Sequence, residues 1–120
     1  MTRNLKGPYY PGQEQKLKRD FIKALASKRV HFFCIETAET VPGFPDVLEI
    51  GPYGYYLYEL KVSDNKGVIT FTRAQPLFYK KYAKDLKILI CAWNVPRQTM
   101  YFRSALDIVE AKTLRYKLNG

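Results

Sequence analysis

The chain has 120 residues, 47% of them hydrophobic, which suits one domain and buries roughly two-thirds of the unfolded surface. That content argues against disorder, and no apolar run approaches the ~20 residues of a membrane span. Twenty Lys and Arg against eleven Asp and Glu give a net charge of +9, the balance of a polyanion binder. Charge alone does not separate nucleic acid from an anionic membrane or from ordinary solubilising charge. A single histidine, His31, and the lack of Cys/His zinc spacing argue against a zinc site or a His-based triad.

Residues 1–12 read as a basic, Pro/Gly/Tyr-punctuated N-terminal arm ahead of a single domain over 13–120. The first residues lack the apolar core of a signal peptide. From Gln13 to Ser27, Leu17, Phe21, Ala24 and Leu25 mark one face of a helix, with Lys16, Arg19 and Lys23 on others. Arg29 to Glu36 reads as an apolar strand, and residues 37–43 as a loop toward Asp46 that either touches substrate or merely connects. Cys34 and Cys91 sit in apolar strands and read as buried thiols of an intracellular protein, with a disulfide left open.

The centre of the chain is Pro42 to Lys61. Val47–Ile50 and Tyr55–Val62 flank a Gly51-Pro52-Tyr53-Gly54 turn and read as a β-hairpin. If it is symmetric about Pro52 and Tyr53, paired positions sum to 105, so Ile50 faces Tyr55, Leu48 faces Leu57 and Asp46 faces Glu59. Alternation puts Lys61 on the Glu59 face. Opposed carboxylates are mutually destabilising, and a divalent cation between them reverses that sign. Mg²⁺ takes such oxygen ligands together with water and phosphate. The plain alternative is a turn-capping Asp46 and a solvated strand edge carrying Glu59 and Lys61.

Pro45-Asp46 followed by Glu59-Leu60-Lys61 resembles the PD-(D/E)xK nuclease signature. The longer runs Gly43-Phe44-Pro45-Asp46, Tyr58-Glu59-Leu60-Lys61 and Thr72-Arg73-Ala74-Gln75 are similar to VRR-NUC domains and archaeal-type Holliday junction resolvases, over about residues 13 to 94. The resemblance implies an α/β restriction-endonuclease-like core, a mixed central β-sheet flanked by α-helices, and Mg²⁺-dependent DNA cleavage, with Mn²⁺ an alternative ion. It also implies Asp46, Glu59 and the Leu60 backbone carbonyl as metal ligands. Glu14 on the first helix is the candidate third carboxylate, in competition with Glu36, Glu39 and Asp20.

After the hairpin, Ser63–Gly67 is a turn and Val68–Phe71 a short strand. Thr72 and Gln75 match a capping box, with Pro76 in the first turn of a helix to about Lys84. By resemblance Gln75 points instead toward the attacking water or a phosphate; Tyr79 lies one turn on. Arg73, Lys80, Lys81 and Lys84, with Lys16, Arg19 and Lys23, are the candidate phosphate contacts, though a plain solvated face looks the same. Leu86–Trp93, apolar on both faces, suggests a central strand, followed by a strand over Met100–Arg103. Ser104 and Asp107 open a last helix carrying Lys112 and Arg115. Tyr9, Tyr10, Tyr53, Tyr55, Tyr56 and Tyr58 suggest base stacking or, more ordinarily, half-buried strand residues.

The function expected is a metal-dependent, structure-selective endonuclease of DNA repair and recombination, catalysed by Asp46, Glu59, Lys61 and Gln75, acting on branched DNA as a homodimer and away from membranes. Its setting is cytoplasmic or nucleoid-associated, with phage encoding among the origins open. A non-catalytic nucleic-acid-binding module of the same fold, an RNA-directed or toxin-type nuclease, and restriction-type or flap cleavage are the alternatives.

Overall fold

The computed structural model describes residues 14–25, 31–34 and 41–118. The arm over residues 1–12, and with it Tyr9 and Tyr10, lies outside them, as do Glu36 and Glu39. The elements are α1 (Glu14–Leu25), β1 (His31–Cys34), β2 (Val47–Gly51), β3 (Gly54–Val62), β4 (Val68–Thr70), α2 (Ala74–Tyr82), β5 (Ile88–Asn94), β6 (Thr99–Ser104), α3 (Ala105–Ala111) and β7 (Arg115–Lys117). Among the described residues no helix is long and apolar enough to cross a membrane.

The hairpin register is the one that the sequence symmetry predicts as far as Val47, but Asp46, expected opposite Glu59, lies beyond the last pair and gives its backbone N–H to the Tyr58 carbonyl instead. Gly51 pairs Gly54, Ile50 pairs Tyr55, Leu48 pairs Leu57 and Val47 pairs Tyr58. Five strands form one mixed sheet in the order β1-β2-β3-β5-β6, with β3 and β5 parallel and the other neighbours antiparallel. Alternation then divides the side chains of β3. Leu57, Glu59 and Lys61 point to one face, while Tyr58 and Leu60 point to the other.

Each face has its own cover. Leu17 and Phe21 of α1 pack on Val47, Tyr58, Leu60 and Cys91. Phe78 and Tyr79 of α2, with Ala105 and Ile108 of α3, pack on Leu57, Ile88, Ile90 and Ala92. The sheet is therefore sandwiched, and β5 is buried on both sides as its continuous apolar run predicts. Burial pushes the Cys91 thiol's pKa upward, with the Glu49 carboxylate adding to the shift, so the group is an inert part of the core.

Some boundaries differ from expectation. β4 leaves the main sheet and pairs with β7, which the sequence reading missed because Arg115-Tyr116-Lys117 lacks an apolar run. α3 keeps its predicted capping box but ends at Ala111, since Lys112 turns left-handed at φ 53°. Arg115 is accordingly a strand residue of β7, not a helical one. α2 stops at Tyr82, and its N-terminal flank is Arg73 with no side-chain cap, so Thr72 is not the N-cap.

The described end of the loop before β2, residues 41–46, is pressed onto α2. Gly43 adopts φ +86°, and a Cβ there would stand 2.4 Å from the Ala74 carbonyl oxygen. Phe44 follows with an edge-on contact to Phe78, ring centroids 5.4 Å apart. Strain and clash together set the cost of filling that space. Gly43→Ala is expected to destabilise the fold by about 2 kcal/mol or more, lowering the melting temperature by about 8 °C in scanning calorimetry. An unchanged transition would show that the loop does not bear on α2.

Candidate active site

The pleat that buries Leu57 also carries Glu59 and Lys61 into the space between the sheet and α2. Both are nearly inaccessible, at 4% and 9% relative exposure. Ionised groups in such a place need partners. Gln75, from the first turn of α2, supplies them with one carboxamide. Its Nε2 donates to Glu59 Oε2 at 2.9 Å, and its Oε1 accepts from Lys61 Nζ at 2.9 Å. The Lys61 ammonium lies 4.0 Å from Glu59 Oε2 and 4.9 Å above the centre of the Phe71 ring.

Gln75 Oε1 also accepts the Thr72 backbone N–H at 2.9 Å. Half of the predicted capping box is therefore real, and it coexists with the contacts to the charged pair. The residue does both tasks because a carboxamide oxygen has two lone pairs.

Asp46 is fixed at two points. Its backbone N–H donates to the Tyr58 carbonyl at 2.9 Å, and its Oδ2 accepts the Leu60 N–H at 3.1 Å. The N–H and C=O of one strand residue point to the same edge, so the Leu60 carbonyl lies on the edge that Asp46 occupies. β2 has ended there, as its pairing with β3 stops at Val47 and Tyr58. Glu59, Lys61 and Gln75 thus form one bonded group, and Asp46 is tied to the Leu60 backbone between the first two, with the Leu60 carbonyl on the same edge.

Tyr79 joins this group although the sequence assigns it no role. It sits one turn after Gln75, is wholly buried, and its hydroxyl has no hydrogen-bond partner among the described residues. Its pKa is pushed well up, first by burial and then by the Glu59 and Asp46 carboxylates, which places the hydroxyl within their field. The helical spacing from Gln75 was a visible signal; the orphaned hydroxyl was not.

The donors on offer are hard oxygens: two carboxylates and a carbonyl. With an unsatisfied buried hydroxyl beside them, they fit a small divalent cation of the Mg²⁺ class, which needs only one or two carboxylates. No third carboxylate comes from the described side chains, among which no group of three His, Cys, Asp or Glu gathers. Glu14 opens α1, but its side chain lies outside the described set. Asp20 is bonded to Lys16 at 3.2 Å.

The basic candidates do not form one cluster. Arg19 and Lys23 are exposed on α1 and Lys16 is half-buried there, on one side of the sheet. Arg73, Lys80, Lys81 and Lys84 are exposed along α2 and its flanks on the other.

No family model matches the chain, and no curated protein sequence does. In three dimensions it is similar to Hjc, a Holliday junction resolvase of the archaeal hyperthermophile Archaeoglobus fulgidus, with a TM-score of 0.65 over 88% of this chain and 87% of that one. The chain shares the fold of that protein. At 15% identity the likeness concerns fold, and bears out the mixed sheet flanked by helices in a restriction-endonuclease-like arrangement.

The hydrogen bonds predict opposite responses to two substitutions on α2. Gln75→Leu leaves Lys61 and Glu59 without their shared partner and is expected to cost about 2–5 kcal/mol in urea unfolding. Tyr79→Phe removes an unpaired hydroxyl and is expected to be neutral or stabilising by about 1 kcal/mol in metal-free buffer. The reverse order would overturn the bonding described above.

Proposed function

We propose that the chain is a Mg²⁺-dependent endonuclease that hydrolyses DNA phosphodiesters and selects branched structures, as a Holliday junction resolvase does. The observation that carries this reading is the buried Glu59–Gln75–Lys61 bridge beside Asp46. Such an arrangement is costly as architecture and useful as chemistry. The similarity to a resolvase supports it, and so do the net charge and the sequence runs shared with VRR-NUC domains.

On this reading Asp46, Glu59 and the Leu60 carbonyl hold the cation, with Glu14 the candidate fourth ligand. A divalent ion held by these residues would supply polarisation of the phosphate and a water acidic enough to attack at neutral pH. Lys61 orients that water and offsets charge gathering on the phosphorane-like transition state. Gln75 keeps the ammonium aimed, because its oxygen holds Lys61 while its nitrogen holds Glu59. Lys16, Arg19, Lys23, Arg73, Lys80, Lys81 and Lys84 contact phosphates, which positions DNA without reading its sequence. Selection then rests on shape.

Symmetric cleavage of a four-way junction needs two sites, so the reading includes a C2 homodimer. Leu77 and Leu114, exposed beside α2 and α3, are apolar surface for that contact. Light scattering is expected to give twice the 14.0 kDa chain mass. A monomer with and without DNA would remove the resolvase version and leave a nuclease.

The decisive measurement is incubation with labelled four-way junction, flap and linear duplex DNA in Mg²⁺ and in EDTA. Junction cleavage is expected only in Mg²⁺, falling by roughly 10²-fold or more in Asp46→Asn and Lys61→Ala. Equal nicking by Asp46→Asn, or cleavage that persists in EDTA, would refute the assignment.

A further inference from the structure

The tyrosines of the β2–β3 hairpin are of two kinds. Tyr58 is buried and donates its hydroxyl to Glu49 Oε1. The Tyr55 hydroxyl accepts the Lys87 backbone N–H at 3.3 Å and reaches the Asp85 carbonyl at 3.4 Å. Those two are structural. Tyr53 and Tyr56 are the open ones, 97% and 41% exposed at and beside the turn, with one side of the Tyr56 ring stacked 6.1 Å from that of Tyr58.

Lys87 gathers this end of the hairpin. Its Nζ stands 5.5 Å from the Tyr56 ring centroid and 6.0 Å from that of Tyr55. Gly54, at φ +135°, leaves open the space where a Cβ would approach that ammonium to 3.5 Å. Together Glu49, Pro52, Tyr53, Tyr55, Tyr56 and Lys87 border a cavity of 240 Å³. That is smaller than the ~300–1,000 Å³ of an ordinary small-molecule cleft. It suits one flat ring system with an anionic neighbour.

We propose that the hairpin tip is a stacking site for an unpaired nucleotide of the DNA substrate, with Tyr53 and Tyr56 taking the base and Lys87 its phosphate. This rests on the nucleic-acid reading above and specifies which part of the substrate is held. An acidic peptide would satisfy Lys87 but not the rings. A paired base keeps its faces inside the duplex stack, so only an unpaired one presents a face. Glu49 lines the cavity but is engaged by Tyr58, which leaves Lys87 as the group for the anion. Along β3, Tyr56 lies three residues from Glu59, roughly 10 Å, and on the opposite face of the strand.

The test compares a fluorescent 12-mer oligothymidine with the same strand paired to its complement, by anisotropy in EDTA, where no cutting interferes. The double variant Tyr53→Ala/Tyr56→Ala is expected to bind the single strand about tenfold or more weakly and the duplex within about twofold of wild type. Tyr53→Ala alone, at a fully exposed turn, gives part of that loss without endangering the fold. Lys87→Ala should weaken single-strand binding and flatten its salt dependence. Emission of Tyr53→Trp should be quenched when the single strand is added. Unchanged single-strand affinity in the double variant, an equal loss on duplex, or a silent tryptophan overturns the site and leaves the cleavage assignment standing. A wild-type protein that binds neither strand nor duplex overturns both.

Discussion

The buried Glu59–Lys61 pair governs the design of this domain. Removing two ionised groups from water costs several kcal/mol each, and a mutual contact at 4.0 Å does not by itself return that. Gln75 makes the difference tolerable, since it satisfies the carboxylate and the ammonium at once. Apolar side chains of similar size at 59, 61 and 75 would fill the same volume at less cost. On the nuclease reading the strand carries these residues for their chemistry, and Gln75 on the helix above holds each of them by a hydrogen bond.

That placement is enforced from outside the site. Gly43 lets the chain pass against the first turn of α2, and Phe44 packs on Phe78 just before Pro45 and Asp46 enter β2. One short segment thus sets both the position of Asp46 and the height of Gln75 above the sheet. The glycine, the aromatic residue and the carboxylate act as one mechanical unit. A change at position 43 would reach the site through the backbone of α2 without touching a charged group.

Much of this was legible in the residues because it is local. A two-residue turn centre fixes the pairs from Gly51–Gly54 to Val47–Tyr58, though not the expected Asp46–Glu59 pair beyond them, and parity then sends Glu59 and Lys61 to one face. Gln75 was visible as a capping residue, and its carboxamide does take the Thr72 N–H while also bonding Glu59 and Lys61. What escaped depends on contacts distant in sequence. The pairing of β4 with β7 joins segments nearly fifty residues apart, with weak apolar signal in the second. The orphaned Tyr79 hydroxyl follows from how α2 lies on β3, which no spacing reports. The division of the basic residues between two sides of the sheet needs the layer order, and α1 and α2 look alike in charge until that order is known.

The charge map separates attraction from reaction. Asp46, Glu59 and Lys61 sum to −1 inside a chain of net charge +9, so everything else carries +10. A polyanion is drawn to the protein as a whole and repelled where the carboxylates lie. At about 4 Å, and with an effective dielectric near 20, one phosphate and one carboxylate oppose each other by about 4 kcal/mol. On the nuclease reading, divalent charge at Asp46 and Glu59 is then a condition for a phosphate to enter at all, before any chemistry. The exposed lysines of α2 stand outside that pocket. On the same reading, holding DNA would be a salt-dependent property of the surface, whereas admitting one phosphodiester to the pocket would depend on the cation, and the two would respond to different ions.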